Sequence, residues 1–210
     1  MALGWGRQSE EAVRALQESV EINRQLVATR PDEHRGALYT SLSNLGSLFE
    51  GIGRTEEALT ATQEAVDVYR QIPSTQPNTD FALTLHRLGS LFSKLDRHEE
   101  AVQASGESVE VYRQRAAALP HAVMLQSWFV SSLNDLSKQL NALGRNEQAL
   151  AVVEEAVETS RQLVDKWPSS ADLVTSLISL ERVLNNLGRH EEALAATQEV
   201  NELQRQTPAR

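Results

Sequence analysis

Residues 42–71 read LSNLGSLFEGIGRTEEALTATQEAVDVYRQ, and the fold is decided by that stretch. Leu42, Leu45, Gly46 and Phe49 recur at the spacing of a helix face, Gly53-Arg54 interrupts them, and Glu56-Glu57-Ala58 restarts the pattern. The spacing predicts two helices joined by a tight turn. Glycine supplies the left-handed backbone that ends the first helix, and the paired acids fall in the first turn of the second, where the helix dipole favours negative charge.

Working outward, Ala58 is followed six residues later by Glu64 and twelve residues later by Arg70-Gln71. The same trio recurs as Ala12/Glu18/Arg24-Gln25, Ala101/Glu107/Arg113-Gln114, Ala149/Glu155/Arg161-Gln162 and Ala193/Glu199/Arg205-Gln206. Successive alanines lie 46, 43, 48 and 44 residues apart, in the range of helical-pair solenoids. The first-helix pattern returns as Leu85, Leu88, Gly89 and Phe92, then Leu133, Leu136 and Leu140, then Leu177, Leu180 and Leu184. Asp96-Arg97, Gly144-Arg145 and Gly188-Arg189 mark the turns. Pro31, Pro77, Pro120 and Pro168 each stand nineteen residues past an alanine, a position read as stopping the second helix and opening an inter-repeat loop. An acid three residues before each arginine (Glu21, Asp67, Glu110, Glu158, Glu202) makes an exposed pair worth a few tenths of a kcal/mol, so these charges read as solvated helix face.

Bulk properties agree. The 210 residues are 40% hydrophobic and 23% charged, enough for a core that a repeat array spreads along its axis. The absence of cysteine excludes disulfides, thiolate metal sites and cysteine nucleophiles. No apolar run reaches membrane-spanning length. A net charge of -9 argues against nucleic acid, which demands a basic stripe. The chain reads as a soluble cytoplasmic protein without membrane partners.

These residues resemble the tetratricopeptide repeat. Leu42-Leu45-Gly46-Phe49 with Ala58 and Ala65 meets nearly every step of that unit, and Leu85-Leu88-Gly89-Phe92 with Ala101 and Ser108 does so almost as well. Ser137 and Glu181 depart at the small-residue step, and a carboxylate buried there would be costly unless paired or turned outward. The unit is longer than the common 34 residues, which resembles kinesin-light-chain-like arrays. The resemblance implies an all-α, right-handed α-solenoid of antiparallel helix pairs with about nine helices. It covers 1–210 as one array: 1–30 holding a second helix alone, then units at 36–77, 80–120, 125–168 and 172–208.

In that family first helices line a concave groove and second helices form the back. Net charge sums to -12 over the second helices and +2 over the first helices with their turns. The groove steps fall on Ser43, Asn44, Ser47 and Glu50; His86, Arg87, Ser90 and Lys94; Asn134, Asp135, Lys138 and Asn141; and Ser179, Arg182, Asn185 and Asn186. Asn44, His86, Arg87, Lys94, Asn134, Lys138, Asn141, Arg182 and Asn185 are the candidate ligand contacts, since amides and cations hold a peptide by its backbone and acidic groups. Ser43 and Ser47 stand where family members that capture C-terminal carboxylates carry Lys and Asn. Trp128 stands where other units have Ala37, Asp80 and Asp172, beside the apolar inter-repeat stretch Leu119–Ser127, and is a candidate hot spot.

Catalysis finds little support. His98 and His190 occupy turn positions, His34 and His121 inter-repeat loops, and only His86 falls in the groove, with no second His or Cys at ligand spacing. Nucleophile-elbow, phosphate-loop and HExxH motifs are absent. The expectation is a non-enzymatic scaffold without cofactor or metal, binding a protein or peptide. A sensor module of a larger protein, or self-association through the array ends, are the alternatives.

Overall fold

In the computed structural model, which describes residues 2–73, 78–164 and 171–206, every regular element is a helix. The helices are α1 (Ala2–Thr29), α2 (Pro31–Gly51), α3 (Thr55–Arg70), α4 (Thr79–Lys94), α5 (His98–Ala118), α6 (Val123–Ala142), α7 (Asn146–Val164), α8 (Ala171–Asn186) and α9 (His190–Gln206). The result is an all-α helical-repeat solenoid. It divides into two compact units, Met1–Leu95 carrying α1 to α4 and Asp96–Arg210 carrying α5 to α9. Pro77, Pro168 and the unit ends read at 77, 168 and 208 lie outside the described residues.

The short turns follow one design. Gly53, Gly144 and Gly188 take φ of +79°, +70° and +74°, and Asp96 takes +57° at the same step. The backbone N–H of Arg54 donates to the Phe49 carbonyl at 2.9 Å, and Arg145 and Arg189 repeat this onto Leu140 and Leu184 at 2.9 Å. These bonds satisfy carbonyls that a helix end otherwise leaves open. Three of the four turn arginines then pair with an acid in the next helix: Arg54 with Glu57, Arg97 with Glu100 and Arg189 with Glu192. The fourth copy has Gln148 at that step, and Arg145 bonds Glu99 at 2.9 Å instead.

In the first unit, α2 and α3 cross closely at Gly46, where an added Cβ would run into Thr62 Oγ1 and stand 3.3 Å from the Thr62 backbone nitrogen. Leu42, Leu45 and Phe49 pack there with Ala58, Ala61 and Ala65, and Tyr69 stacks on Phe81 of α4 with ring centroids 3.9 Å apart. In the second unit Ser137 takes the glycine's place, and its hydroxyl donates to the Ala149 carbonyl at 2.9 Å. Glu181 at that step of α8 is half-buried, partly open to water. In the same unit Val157, Leu173, Leu177, Ala196 and Val200 form one apolar cluster.

Three boundaries differ from the sequence reading. Only Arg30 separates α1 from α2, so Pro31 opens a helix at its first position and His34 is helical. Proline fits there because the first helical N–H has no intrahelical partner. The expected apolar loop 119–127 is shorter, since α6 begins at Val123 and leaves Leu119–Ala122 as the connection. His98 and His190 are the first residues of α5 and α9.

Candidate functional site

On the α2–α4 face of the first unit the candidates assemble around Glu50. Arg87 donates from Nε to Glu50 Oε2 at 3.2 Å, to the Ser43 carbonyl at 3.3 Å and to Ser47 Oγ at 3.1 Å. Lys94 Nζ meets Glu50 Oε1 at 2.7 Å. Asn44 is exposed and His86 half-buried.

The α6–α8 face of the second unit differs. Lys138 is exposed and pairs with Asp135 at 3.0 Å. The Asn186 amide donates to Asn141 Oδ1 at 2.8 Å, and Asn185 Oδ1 lies 3.1 Å from His190 Nδ1. Arg182 and Ile178 are exposed on α8. Asn134 is a correction: at 2% exposure it faces the helix packing, where its amide donates to Ser176 Oγ at 2.9 Å. The neighbouring first helix covers that step, so Asn134 fixes helix packing and presents nothing to a ligand. Trp128 stands 39% exposed, one helical turn from Met124 at 67%.

Two features escaped the sequence reading. A hydroxyl precedes the first-helix leucine in every copy (Ser41, Thr84, Ser132, Ser176), and all four are buried. Ser41 is bonded by Ser19 and Asn23 at 3.0 Å, Thr84 by the Tyr39 hydroxyl at 2.9 Å, and Ser176 by Ser160 at 3.2 Å. Burial pushes the Tyr39 phenol above its ordinary range against the opposing pull of its bonds with Thr84 and Ser43. The fourfold recurrence of this hydroxyl was the available signal.

The second feature is the meaning of the Glu and Arg in the recurring trio. Arg24 of one copy bonds Glu64 of the next at 2.6 and 2.8 Å, Arg113 bonds Glu155 at 2.9 Å, and Arg161 bonds Glu199 at 2.9 Å. Hydrogen bonding to Glu64 raises Arg24 above its ordinary pKa, and Glu155 does the same for Arg113. Pairs within one helix exist as well, Arg113 with Glu110 at 2.7 Å among them. In these three pairs, each within one unit, the recurrence links neighbouring second helices. Among the described residues no group of three or more metal-ligating side chains occurs, and no helix is long and apolar enough to cross a membrane.

Profiles of the tetratricopeptide repeat match residues 37–114 and 130–168, together more than half of the sequence. The chain belongs to the tetratricopeptide repeat family. A profile of anaphase-promoting complex subunit 5 matches residues 6–30 and 166–208. No curated protein matches the sequence. Among solved structures, kinesin light chain TPR-like repeats from Podosopora anserina share 21% identity over 97% of each chain, with a TM-score of 0.66. YrrB, described as a TPR protein with an unusual peptide-binding site, shares 12% identity over 92% of this chain and 80% of its own, with a TM-score of 0.57. The Rap conjugation gene regulator of plasmid pLS20, solved with the Phr* peptide, shares 17% over 81% of this chain and 44% of its own, with a TM-score of 0.57.

Proposed function

We propose that this chain is a protein-interaction scaffold whose first-helix faces, α2–α4 in one unit and α6–α8 in the other, each bind an extended peptide or partner segment. The observation that carries this is the placement of Lys94, Lys138, Arg182, Asn44 and Asn185, all exposed on first helices, while second helices hold most of the acid. Amides pair with peptide backbone and cations with acidic side chains, the two groups an extended segment presents. Peptide-binding relatives of the same fold support the reading.

The test is an immobilised array of random dodecapeptides probed with the wild type and with Lys138→Glu/Arg182→Glu. The double variant is expected to lose about tenfold in affinity on most retained spots, as two reversed contacts of roughly 0.7 kcal/mol each would give. Unchanged binding by the double variant, with its helical circular dichroism intact, would remove the α6–α8 face from consideration.

A second reading, self-association, has an observation of its own. Leu194 on α9 is 59% exposed, whereas Leu59 and Leu150 at the same step are buried, and Ile22 and Leu26 lie open on α1. Light scattering on Leu194→Lys and Ile22→Lys would detect it, as a concentration-dependent mass that both variants abolish.

A further inference from the structure

The groove steps are not equivalent between copies, and the largest divergence falls where Glu50, Arg87 and Lys94 meet. At the Glu50 step the other first helices carry Ser93, Asn141 and Asn185; at the Arg87 step, Asn44, Asp135 and Ser179; at the Lys94 step, Gly51, Ala142 and Asn186. Two cations around one carboxylate occur at these steps in the first unit alone.

The guanidinium of Arg87 is fixed from behind. The Ser43 carbonyl and Ser47 hydroxyl accept from its two terminal nitrogens at 3.3 and 3.1 Å, and its side chain keeps only 18% exposure. Such bonds set its position without using negative charge, so its charge is directed at whatever carboxylate stands in front. Lys94, half exposed, closes the same position from the solvent side at 2.7 Å. One carboxylate between two cations leaves an excess positive charge, which a simple surface pair would not.

We propose that Arg87 and Lys94 form a subsite for an aspartate or glutamate side chain of a bound peptide, and that Glu50 is its intramolecular occupant, displaced when the ligand's carboxylate enters. This rests on the peptide-binding reading above. The exchange replaces one carboxylate by another on the same two cations, so the cation contacts made and broken are alike, and net affinity comes from the rest of the peptide. A neutral side chain has nothing to offer the two cations and leaves Glu50 in place. Glu50 thereby raises the threshold for every acidic ligand and sets which sequences cross it.

The test uses dodecapeptides of Gly, Ser and Leu carrying either one Glu or one Gln at each position in turn, read by fluorescence anisotropy. Glu50→Gln removes the internal competitor and is expected to tighten the Glu peptides by about three- to fivefold, as one exposed ion pair would give, leaving the Gln peptides unchanged. Lys94→Gln, on an exposed side chain whose loss leaves the Arg87 bonds to Ser43 and Ser47 in place, is expected to weaken the Glu peptides and erase most of the Glu50→Gln gain. Glu50→Gln acting equally on Glu and Gln peptides, or on neither, overturns the subsite. If Lys138→Glu/Arg182→Glu weakens binding while Glu50→Gln does nothing selective, the subsite alone is wrong. If neither set of variants alters binding, the peptide-binding faces fail with it.

Discussion

Thr84 joins two repeats through one hydroxyl. Its Oγ1 lies 2.9 Å from the Tyr39 phenol and also donates to the Asp80 carbonyl at 2.9 Å, and both Thr84 and Tyr39 are buried. Thr84→Val keeps the volume and removes one of the phenol's two hydroxyl partners, leaving Ser43, so it should destabilise by about 1 kcal/mol in urea denaturation, with Tyr39→Phe/Thr84→Val recovering part of the loss. Equal losses in the single and double variants would show that the phenol draws nothing from Thr84. This hydroxyl stands beside the core leucine in every copy and was legible as a recurrence, but hydrophobic periodicity passes over a polar residue on the buried stripe. Asn134 was misread for the complementary reason. Its step in the unit is right for a groove, but its burial depends on how closely the next first helix approaches, which one helix's pattern does not contain. Arg87 and Lys94 were legible as cations on the face. Their sharing of Glu50 was not, because that carboxylate belongs to the preceding first helix, 37 and 44 residues away.

At the scale of elements, the α2–α3 crossing depends on the absence of a side chain at Gly46. A Cβ there meets the Thr62 hydroxyl and stands 3.4 Å from the Ala58 carbonyl, so Gly46→Ala should cost about 1–3 kcal/mol by forcing the helices apart. Thr62→Ala in the same chain removes the nearest obstacle and should restore much of that loss in thermal melts; no restoration would place the conflict with backbone. Helix pairs and turns were readable because each needs a local signal, glycine or, once, Asp96 in the left-handed region followed by acid in the next first turn. The start of α2 was not, since proline both stops a helix and opens one, and the choice depends on whether Arg30 alone can turn the chain. The start of α6 was missed similarly. Val123 to Ser127 is apolar enough for a loop that packs or for an added helical turn; the chain takes the helix, with Leu125 buried at 6%.

For the whole molecule, acidity is the variable that separates its ion pairs from its packing. The chain carries -9 at pH 7, yet many of its carboxylates are engaged by arginine. Hydrogen bonds from Arg54, Arg97 and Arg189 hold Glu57, Glu100 and Glu192 below the usual carboxylate pKa, and bonds from Gln114 and then Arg113 do the same for Glu110. A folded-state pKa lowered in this way contributes stability that is fully present above the unfolded value of about 4.3 and disappears as pH falls through the folded value. The wild type should therefore keep its melting temperature from about pH 7 to pH 5 and lose it below about pH 4. Arg54→Gln/Arg97→Gln/Arg189→Gln provides the reference. Its melting temperature should lie below wild type by a few degrees at neutral pH, through the lost pairs and the lost contact of Arg54 over the Phe49 ring, whose centroid is 4.7 Å away. The packing part of that gap is independent of pH and the ion-pair part is not, so the gap should narrow towards about pH 2.5, where the carboxylates are protonated in both proteins. A gap that stays constant across the range would assign these arginines to packing alone.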